Sequence, residues 1–276
     1  MSLLDALQQV LNHLGFQITV QEFLVLFGLA FARLLPVFVL VPFFGGRSAP
    51  AQAKVGLTFI VVAVMYSGLT ANTAVGQVTT LLFVGLLLKE ALIGVAIALA
   101  AQLVFYAVQT AGTIIDTQRG MNQATFFAPQ LAGNVSVLGQ LKFQAALVLF
   151  LALDGHLLFL RGLYGSFRDV PLLAFPRFQA GIVPMVDQIT RLSANVLLVA
   201  MQLSAPVLLA LFLVDVAFAS LGKVIPQVQV HFESQTVKSL VGLSLVFLVL
   251  GLFVERLQGY FLLMLREVAE LSKAFV

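Results

Sequence analysis

The stretch Ala111–Leu131, AGTIIDTQRGMNQATFFAPQL, decides how this sequence is interpreted. It lies between two long apolar runs, yet it carries Asp116 and Arg119 together with Phe126 and Phe127, which a solvated loop rarely holds. Polar, non-helical backbone at membrane depth persists only where protein or a water-filled cavity covers it. We therefore predict that this stretch is a non-helical loop and the working part of the molecule.

The composition is that of a membrane protein. Of the 276 residues, 61% are hydrophobic and only 10% are charged, whereas soluble domains carry about 25% charged residues. There is no cysteine, which excludes disulfides and thiolate metal sites. The three histidines are far apart in the sequence, so we expect no metal and no cofactor. A net charge of +3 without a basic cluster argues against a nucleic-acid partner.

Six apolar segments approach or exceed the roughly 20 residues that a helix needs to cross a bilayer core. They indicate an all-α, integral membrane-associated fold in a single domain. The predicted organisation is an amphipathic N-terminal helix over about 1–22, three apolar helices over 23–110, the loop over 111–134, the remaining apolar helices over 135–254 and an amphipathic C-terminal helix over 255–276.

Charged and helix-breaking residues interrupt the apolar segments. Pro36 and Pro206 each remove a backbone hydrogen bond and are expected to kink their helices. A charged side chain at a helix centre costs about 2.5–3.5 kcal/mol on insertion scales, so such residues face protein, water or one another. Internal ion pairs, an ion path and an assembly interface are the three interpretations open at this point. The charged residues concerned are Arg33, Lys89, Glu90, Lys142, Asp154 and Asp215.

The common catalytic motifs are missing from the sequence. It has no GxxxxGK[ST] phosphate loop, no HExxH and no GxSxG. We therefore predict that the protein is not an enzyme.

Several motifs, in the right order along nearly the whole chain, resemble those of the SctT/FliR family of type III secretion export apparatus proteins. The most specific is Ala111–Gly120, AGTIIDTQRG, which resembles the pattern AGxxxDxQRG. The form of its QRG element favours an injectisome protein over a flagellar one. The other matching elements are Arg33–Pro36 with Val41–Pro42, Lys89–Gly94, Ser204–Pro206, Pro226–Val230 and Thr236–Ser239.

Two positions depart from the family pattern. The family usually has Asp-Pro where this chain has Ala128-Pro129, and Asn in its PQxNV element where this chain has Gln229. The roles of those two side chains are therefore not carried over from the family.

The resemblance implies a core export-gate subunit built of kinked helical hairpins. Such a subunit packs with SctR/FliP-like and SctS/FliQ-like subunits in a hetero-oligomeric helical assembly, against which a SctU/FlhB-like subunit packs. The assembly lies in the bacterial inner membrane, toward its periplasmic side, and forms the portal for unfolded secreted polypeptides. The family loop that corresponds to Gly112–Pro129 projects into the lumen and plugs the closed pore.

The residues of the loop suit a plug. Large apolar side chains can form a constriction that gates by dewetting, and glycines let the backbone swing. Asp116 and Arg119, three residues apart, can form a polar pair that clamps the loop base, or only a local structural ion pair. The predicted plug and gate residues are Gly112, Gly120, Met121, Phe126, Phe127 and Pro129.

Two other functions stay open on the sequence alone. One is a proton-coupled secondary transporter or channel whose relay is Glu90, Lys142, Asp154 and Asp215. The other is a passive scaffold whose loop does not gate and whose phenylalanines are ordinary core residues. Gradient-driven solute uptake by the chain alone separates the transporter from the export subunit.

Overall fold

Helices make up the architecture of the chain. The computed structural model describes residues 8–9, 13, 19–46, 49–70, 78–121, 136–176, 183–224 and 230–273, and over these residues it contains helices and no strand. The prediction of an all-α membrane protein is confirmed. The helices are α1 (Val20–Leu40), a short 3₁₀ helix (Pro42–Phe44), α2 (Ala51–Thr70), α3 (Thr80–Gln118), α4 (Val137–Ala152), α5 (Gly155–Asp169), α6 (Val183–Val224), α7 (Val230–Leu248) and α8 (Leu250–Lys273).

By length and composition, α1, α2, α3 and α6 are each able to cross a membrane. If each of two bent helix pairs forms one span, the number of candidate spans in the described residues rises from four to six. The pair α4 and α5 is bent by 74°, and the pair α7 and α8 by 60°. The six apolar segments of the sequence are thus present, two of them as broken helices.

The first bend contains Asp154. This residue was expected within an apolar segment, and it lies in the turn between the two helices of that segment, α4 and α5, where it is exposed and has a φ of 55°. Asp tolerates this left-handed backbone better than most residues, and Gly155 follows it. Pro36 and Pro206 lie inside the uninterrupted helices α1 and α6, and the kinks expected there stay predictions.

The predicted start of the loop at residue 111 is wrong, because α3 continues to Gln118. Ala111 and Ile115 are fully buried, and Asp116 is 3% exposed. A helix satisfies its own backbone groups, so the polar side chains need only protein partners at this depth. The polar side chains of this stretch therefore indicate buried contacts of α3 and do not mark the start of a loop at residue 111.

A capping box sets the beginning of α1. The Glu22 backbone N–H donates to Thr19 Oγ1 at 3.2 Å, and the Thr19 backbone N–H donates to Glu22 Oε2 at 2.8 Å. This reciprocal pair fixes the helix start at Val20. The predicted N-terminal amphipathic helix over 1–22 lies largely outside the described residues.

The chain divides into two compact units. One comprises Met1–Gln102, Leu157–Gln188 and Leu265–Val276, and the other comprises Leu103–His156 and Ile189–Met264. In the first unit α1 packs on α2 through aromatic pairs. The ring centroids of Phe27 and Phe59 are 5.0 Å apart, and those of Phe23 and Tyr66 are 4.9 Å apart.

The second unit has its own apolar core, which joins α3, α4, α6 and α7. The rings of Phe105, Phe150 and Phe261 form a further cluster with centroids 5.0–5.7 Å apart. Burial on this scale holds the end of α3 and the start of α4 in fixed positions. The buried core residues are Ile115, Leu138, Val207, Leu211 and Val246.

Candidate functional site

The end of α3 carries the glycine of the QRG element. Gly120 has a φ of 79°, a left-handed conformation that glycine adopts without strain. Its N–H donates to Thr117 O at 3.1 Å, and the Met121 N–H donates to Asp116 O at 3.1 Å. These two bonds form a Schellman motif, which ends a helix and satisfies its last carbonyls. Gly120 therefore fixes the point where the chain leaves α3.

Asp116 bonds the end of α3 to the start of α4. Its Oδ2 accepts hydrogen bonds from Ser136 Oγ at 2.6 Å and from the Leu138 N–H at 2.9 Å, while its Oδ1 pairs with Arg119 Nη1 at 3.2 Å. Ser136 caps α4 by accepting a bond from the Gly139 N–H at 2.7 Å. A carboxylate at the N-terminus of α4 is also favoured by the helix dipole. One buried side chain thus holds the two ends of the segment 122–135 together.

Arg119 extends this polar cluster to α7. Its Nη2 donates to Ser239 Oγ at 3.3 Å, and the residue is 8% exposed. Gln235, Ser239 and Gly242 are spaced to share one face of α7. A Cβ at Gly242 would lie 2.6 Å from Arg119 Cδ, and a Cβ at Gly120 would collide with the Gln235 amide. The face of α7 therefore fits closely against the end of α3.

The sequence interpretation missed the residues that receive these contacts. Ser136 had a readable signal, since serine before an apolar run is a preferred helix N-cap. Ser239 belongs to the Thr236–Ser239 element, and its partner Arg119 is 120 residues away in sequence. The cluster that we name the loop-base cluster consists of Asp116, Arg119, Gly120, Ser136, Leu138, Gln235, Ser239 and Gly242.

Gly112 has a different role from the one predicted. It was expected to let the backbone of the loop swing, which is wrong because it lies inside α3. A Cβ at Gly112 would lie 2.5 Å from both Cα and N of Gly139 in α4. Glycine here permits α3 and α4 to approach closely.

The other predicted gate residues divide at Met121. Gly120 and Met121 are described, and Met121 is 36% exposed. Phe126, Phe127 and Pro129 lie outside the described residues, and their part in a gate stays a prediction.

Three of the charged residues predicted within the membrane form a buried cluster in the first unit. Arg33 and Glu90 are both fully buried and form a two-pronged ion pair, through Nε to Oε2 and through Nη2 to Oε1 at 3.0 Å. Arg33 also donates to Ser166 O at 2.8 Å, to Ser166 Oγ at 3.2 Å and to Val170 O at 2.7 Å. All five N–H groups of the guanidinium are thereby used.

Lys89 completes the cluster from the same helix as Glu90. Its Nζ lies 2.6 Å from Glu90 Oε1 and donates to the carbonyls of Pro171, Leu172 and Ala174 at 2.9–3.0 Å. Arg33 and Lys89 thus bind the end of α5 and the segment that follows it. Internal pairing accounts for their burial, and a role of these residues in assembly stays a prediction.

The remaining predicted charges lie in the second unit. Asp215 forms an ion pair with Lys238 and is 34% exposed. Lys142 is only 7% exposed, and its Nζ lies 5.2 Å from the centroid of the Phe253 ring. Of the four residues of the predicted relay, Glu90 and Asp215 are therefore held in ion pairs and Asp154 is exposed at a turn. Within the described parts of the chain, no three His, Cys, Asp or Glu side chains are grouped to hold a metal.

Comparison with known proteins gives the family to which this chain belongs. Residues 24–264 match the model of the family described as bacterial export proteins, family 1. The chain belongs to this family, the FliR/SctT family of multi-pass inner-membrane proteins.

Individual relatives come from two kinds of export system. The chain is 34% identical over 205 residues to the flagellar biosynthetic protein FliR of Bacillus subtilis, and the aligned residues cover 74% of this chain and 78% of the relative. It is 29% identical over 232 residues to FliR of Escherichia coli, with 83% and 87% covered. It is 31% identical over 161 residues to the Yop proteins translocation protein T of Yersinia pestis, with 58% and 60% covered. Since both kinds match, the preference for an injectisome stays a prediction.

Proposed function

We propose that this chain is a core export-gate subunit of a type III protein secretion system. With SctR/FliP-like and SctS/FliQ-like membrane subunits it forms the pore through which unfolded polypeptides leave the cytoplasm, and a SctU/FlhB-like subunit packs against it. The role is one of shape and electrostatics, and it needs no catalytic residue. The observation that carries the proposal is the family match over residues 24–264.

The loop-base cluster supports a plug between α3 and α4. The chain leaves α3 at Gly120 and enters α4 after Ser136, and Asp116 contacts both ends. A plug must block ions at rest and yield to a passing polypeptide. Anchors that are bonded to each other can stay in place while the 14 residues from 122 to 135 between them are displaced. We propose that Met121, Phe126 and Phe127 supply the apolar constriction facing the lumen.

Exposed apolar faces support a place in an assembly within the membrane. In α6, Leu209, Phe212 and Leu213 are 59–67% exposed, and in α2, Ile60 and Val64 are 60% and 74% exposed. Exposing apolar surface of this extent to water is unfavourable, so lipid or neighbouring subunits cover it. Both coverings agree with an export-gate subunit.

The plug is tested by ion conductance of the assembled complex. Deleting residues 120–127, or replacing both Phe126 and Phe127 with alanine, is expected to raise the leak of small ions through the co-expressed assembly in liposomes. Phe247→Ala, which truncates an exposed phenylalanine of α7, is the matched control and leaves the leak at the wild-type level. Unchanged conductance in the deletion would remove the plug assignment.

Assembly is tested separately. The full chain is expected to co-purify with the SctR-like and SctS-like proteins encoded by the same organism. A well-behaved monomer that binds neither protein would contradict the export-gate function itself, whatever the conductance of the loop variants.

A further inference from the structure

A cavity of about 490 Å³ lies in the second unit, between α4, α6 and the bend that joins α7 to α8. Its volume is in the range of small-molecule binding sites. Val207, Val246 and Phe253 contribute to a wall that is mostly aliphatic and aromatic. Leu141 and Leu209 also line it and are 51% and 67% exposed, so the cavity opens onto the apolar outer surface of the unit.

The charge of the cavity is wholly positive. Its lining includes Lys142 and Arg256 and contains no acidic residue. Lys142 is 7% exposed, and within the described residues its ammonium forms no ion pair with a carboxylate in contact and lies 5.2 Å from the centroid of the Phe253 ring. Asp116 acts on Lys142 electrostatically, but it belongs to the loop-base cluster and is not among the residues that line the cavity. A buried cation in apolar surroundings is costly without an anion, so the cavity lacks a negative group.

The shape of the cavity indicates what kind of anion completes it. The lining follows α6 from Gln202 to Leu209, a rise of about 10 Å at 1.5 Å per residue. Toward one end, Tyr260 Oη donates to Gln202 Oε1 at 2.6 Å, which adds polar groups close in sequence to Arg256. An elongated apolar cleft with cations and a polar end fits an acyl chain that carries an acidic headgroup. A single acidic side chain from another helix would fill only a small part of it.

We propose that this cavity binds one anionic phospholipid, with the phosphate of its headgroup at Lys142 and Arg256 and an acyl chain along the α6 wall. Basic pockets between membrane helices recognise acidic lipid headgroups in this way. The site is independent of the plug and of the export-gate function.

The test is native mass spectrometry of the full chain in detergent, titrated with phosphatidylglycerol or with phosphatidylcholine of the same acyl chains. Wild type is expected to bind phosphatidylglycerol about tenfold more tightly. Lys142→Met keeps the length of the side chain but removes its charge, and it is expected to lose this preference. Lys223→Met, at an exposed end of α6 outside the cavity, is the matched control and keeps the preference.

A second variant keeps both cations and fills the cavity. Ala145 lines the cavity, and Ala145→Phe is expected to reduce retention of both lipids while far-UV circular dichroism stays unchanged. Equal affinity of wild type for the two lipids, or a preference that survives Lys142→Met, would overturn the proposal.

The assembled complex supplies the remaining check. Because the chain has no cysteine, Leu209→Cys places a single thiol at the cavity, to which a thiol-reactive photo-cross-linker is attached. Photo-cross-linking of this group to phosphatidylglycerol supports the proposal. Exclusive cross-linking to an acidic helix of a partner subunit, with no phosphatidylglycerol in the purified complex, shows a protein occupant and overturns it.

Discussion

Replacing Asp116 with alanine removes a side chain that, among the described residues, hydrogen-bonds the end of α3 to the start of α4. The carboxylate makes three contacts, with Arg119 at 3.2 Å, Ser136 at 2.6 Å and the Leu138 N–H at 2.9 Å. A hydrogen bond to a charged group contributes about 1.5–3 kcal/mol. The change also leaves Arg119, 8% exposed, without its counter-charge, and removing one partner of a buried pair costs about 3–5 kcal/mol. Both figures describe the same loss, so we expect the free energy of unfolding to fall by about 3–5 kcal/mol.

The assay is thermal unfolding of the full chain in detergent, followed by far-UV circular dichroism. The chain contains neither tryptophan nor cysteine, so tryptophan fluorescence and thiol-reactive dyes do not report its unfolding. A loss of this size lowers the midpoint temperature by about 10 °C. Asp116→Asn keeps one acceptor oxygen and is expected to fall between wild type and alanine. Glu255→Ala, an exposed acid of the same unit, is the control and shifts the midpoint by no more than about 2 °C. Equal midpoints for Asp116→Ala and Glu255→Ala would refute the bridging role.

Two further predictions use the same thermal assay. Glu90→Gln leaves Arg33 and Lys89 without their shared anion and is expected to cost about 3–5 kcal/mol, whereas the exposed Glu270→Gln in the same unit costs less than about 0.5 kcal/mol. Similar midpoints for these two variants would contradict the buried cluster. Gly94→Ala forces a Cβ against the carbonyl oxygen of Arg33 and is expected to cost about 1–3 kcal/mol. A Cβ at Gly162 has no atom within 4 Å, so Gly162→Ala is expected to stabilise the protein by up to about 1 kcal/mol through helix propensity. Shifts of the midpoint temperature in the same direction for the two glycine variants would be inconsistent with this packing.

The features that the sequence could predict are those that depend on local spacing. Residues three apart on a helix are neighbours, so the pair Asp116–Arg119 was readable before any tertiary structure was known. The length and apolarity of the segments are local features as well, and they predicted the all-α membrane fold. The capping box at Thr19 and Glu22 and the N-cap serine of α4 were equally local, although their signals were not used.

The features that could not be predicted depend on which helices meet. The sequence indicates that Arg33 and Glu90 need partners, but 57 residues separate them and nothing local pairs them. The contact of Asp116 with Leu138 spans 22 residues and requires the close approach of α3 and α4. The loop boundary was misplaced because a buried polar cluster and a polar loop have the same composition. The break at Val249 between α7 and α8 is not preceded directly by a glycine or a proline that would indicate it in the sequence.

The five hydrogen bonds that Arg33 donates have a consequence for the insertion of the chain into the membrane during translation. Translation runs at about 5–20 residues per second, so Glu90 leaves the ribosome several seconds after Arg33, and Ser166 and Val170 follow later still, 133 and 137 residues downstream. During that interval α1 holds a lone guanidinium that bare hydrocarbon does not solvate. The nascent first helix must therefore be sheltered by the insertion machinery, or stay at the lipid headgroups, until the third helix arrives to neutralise it.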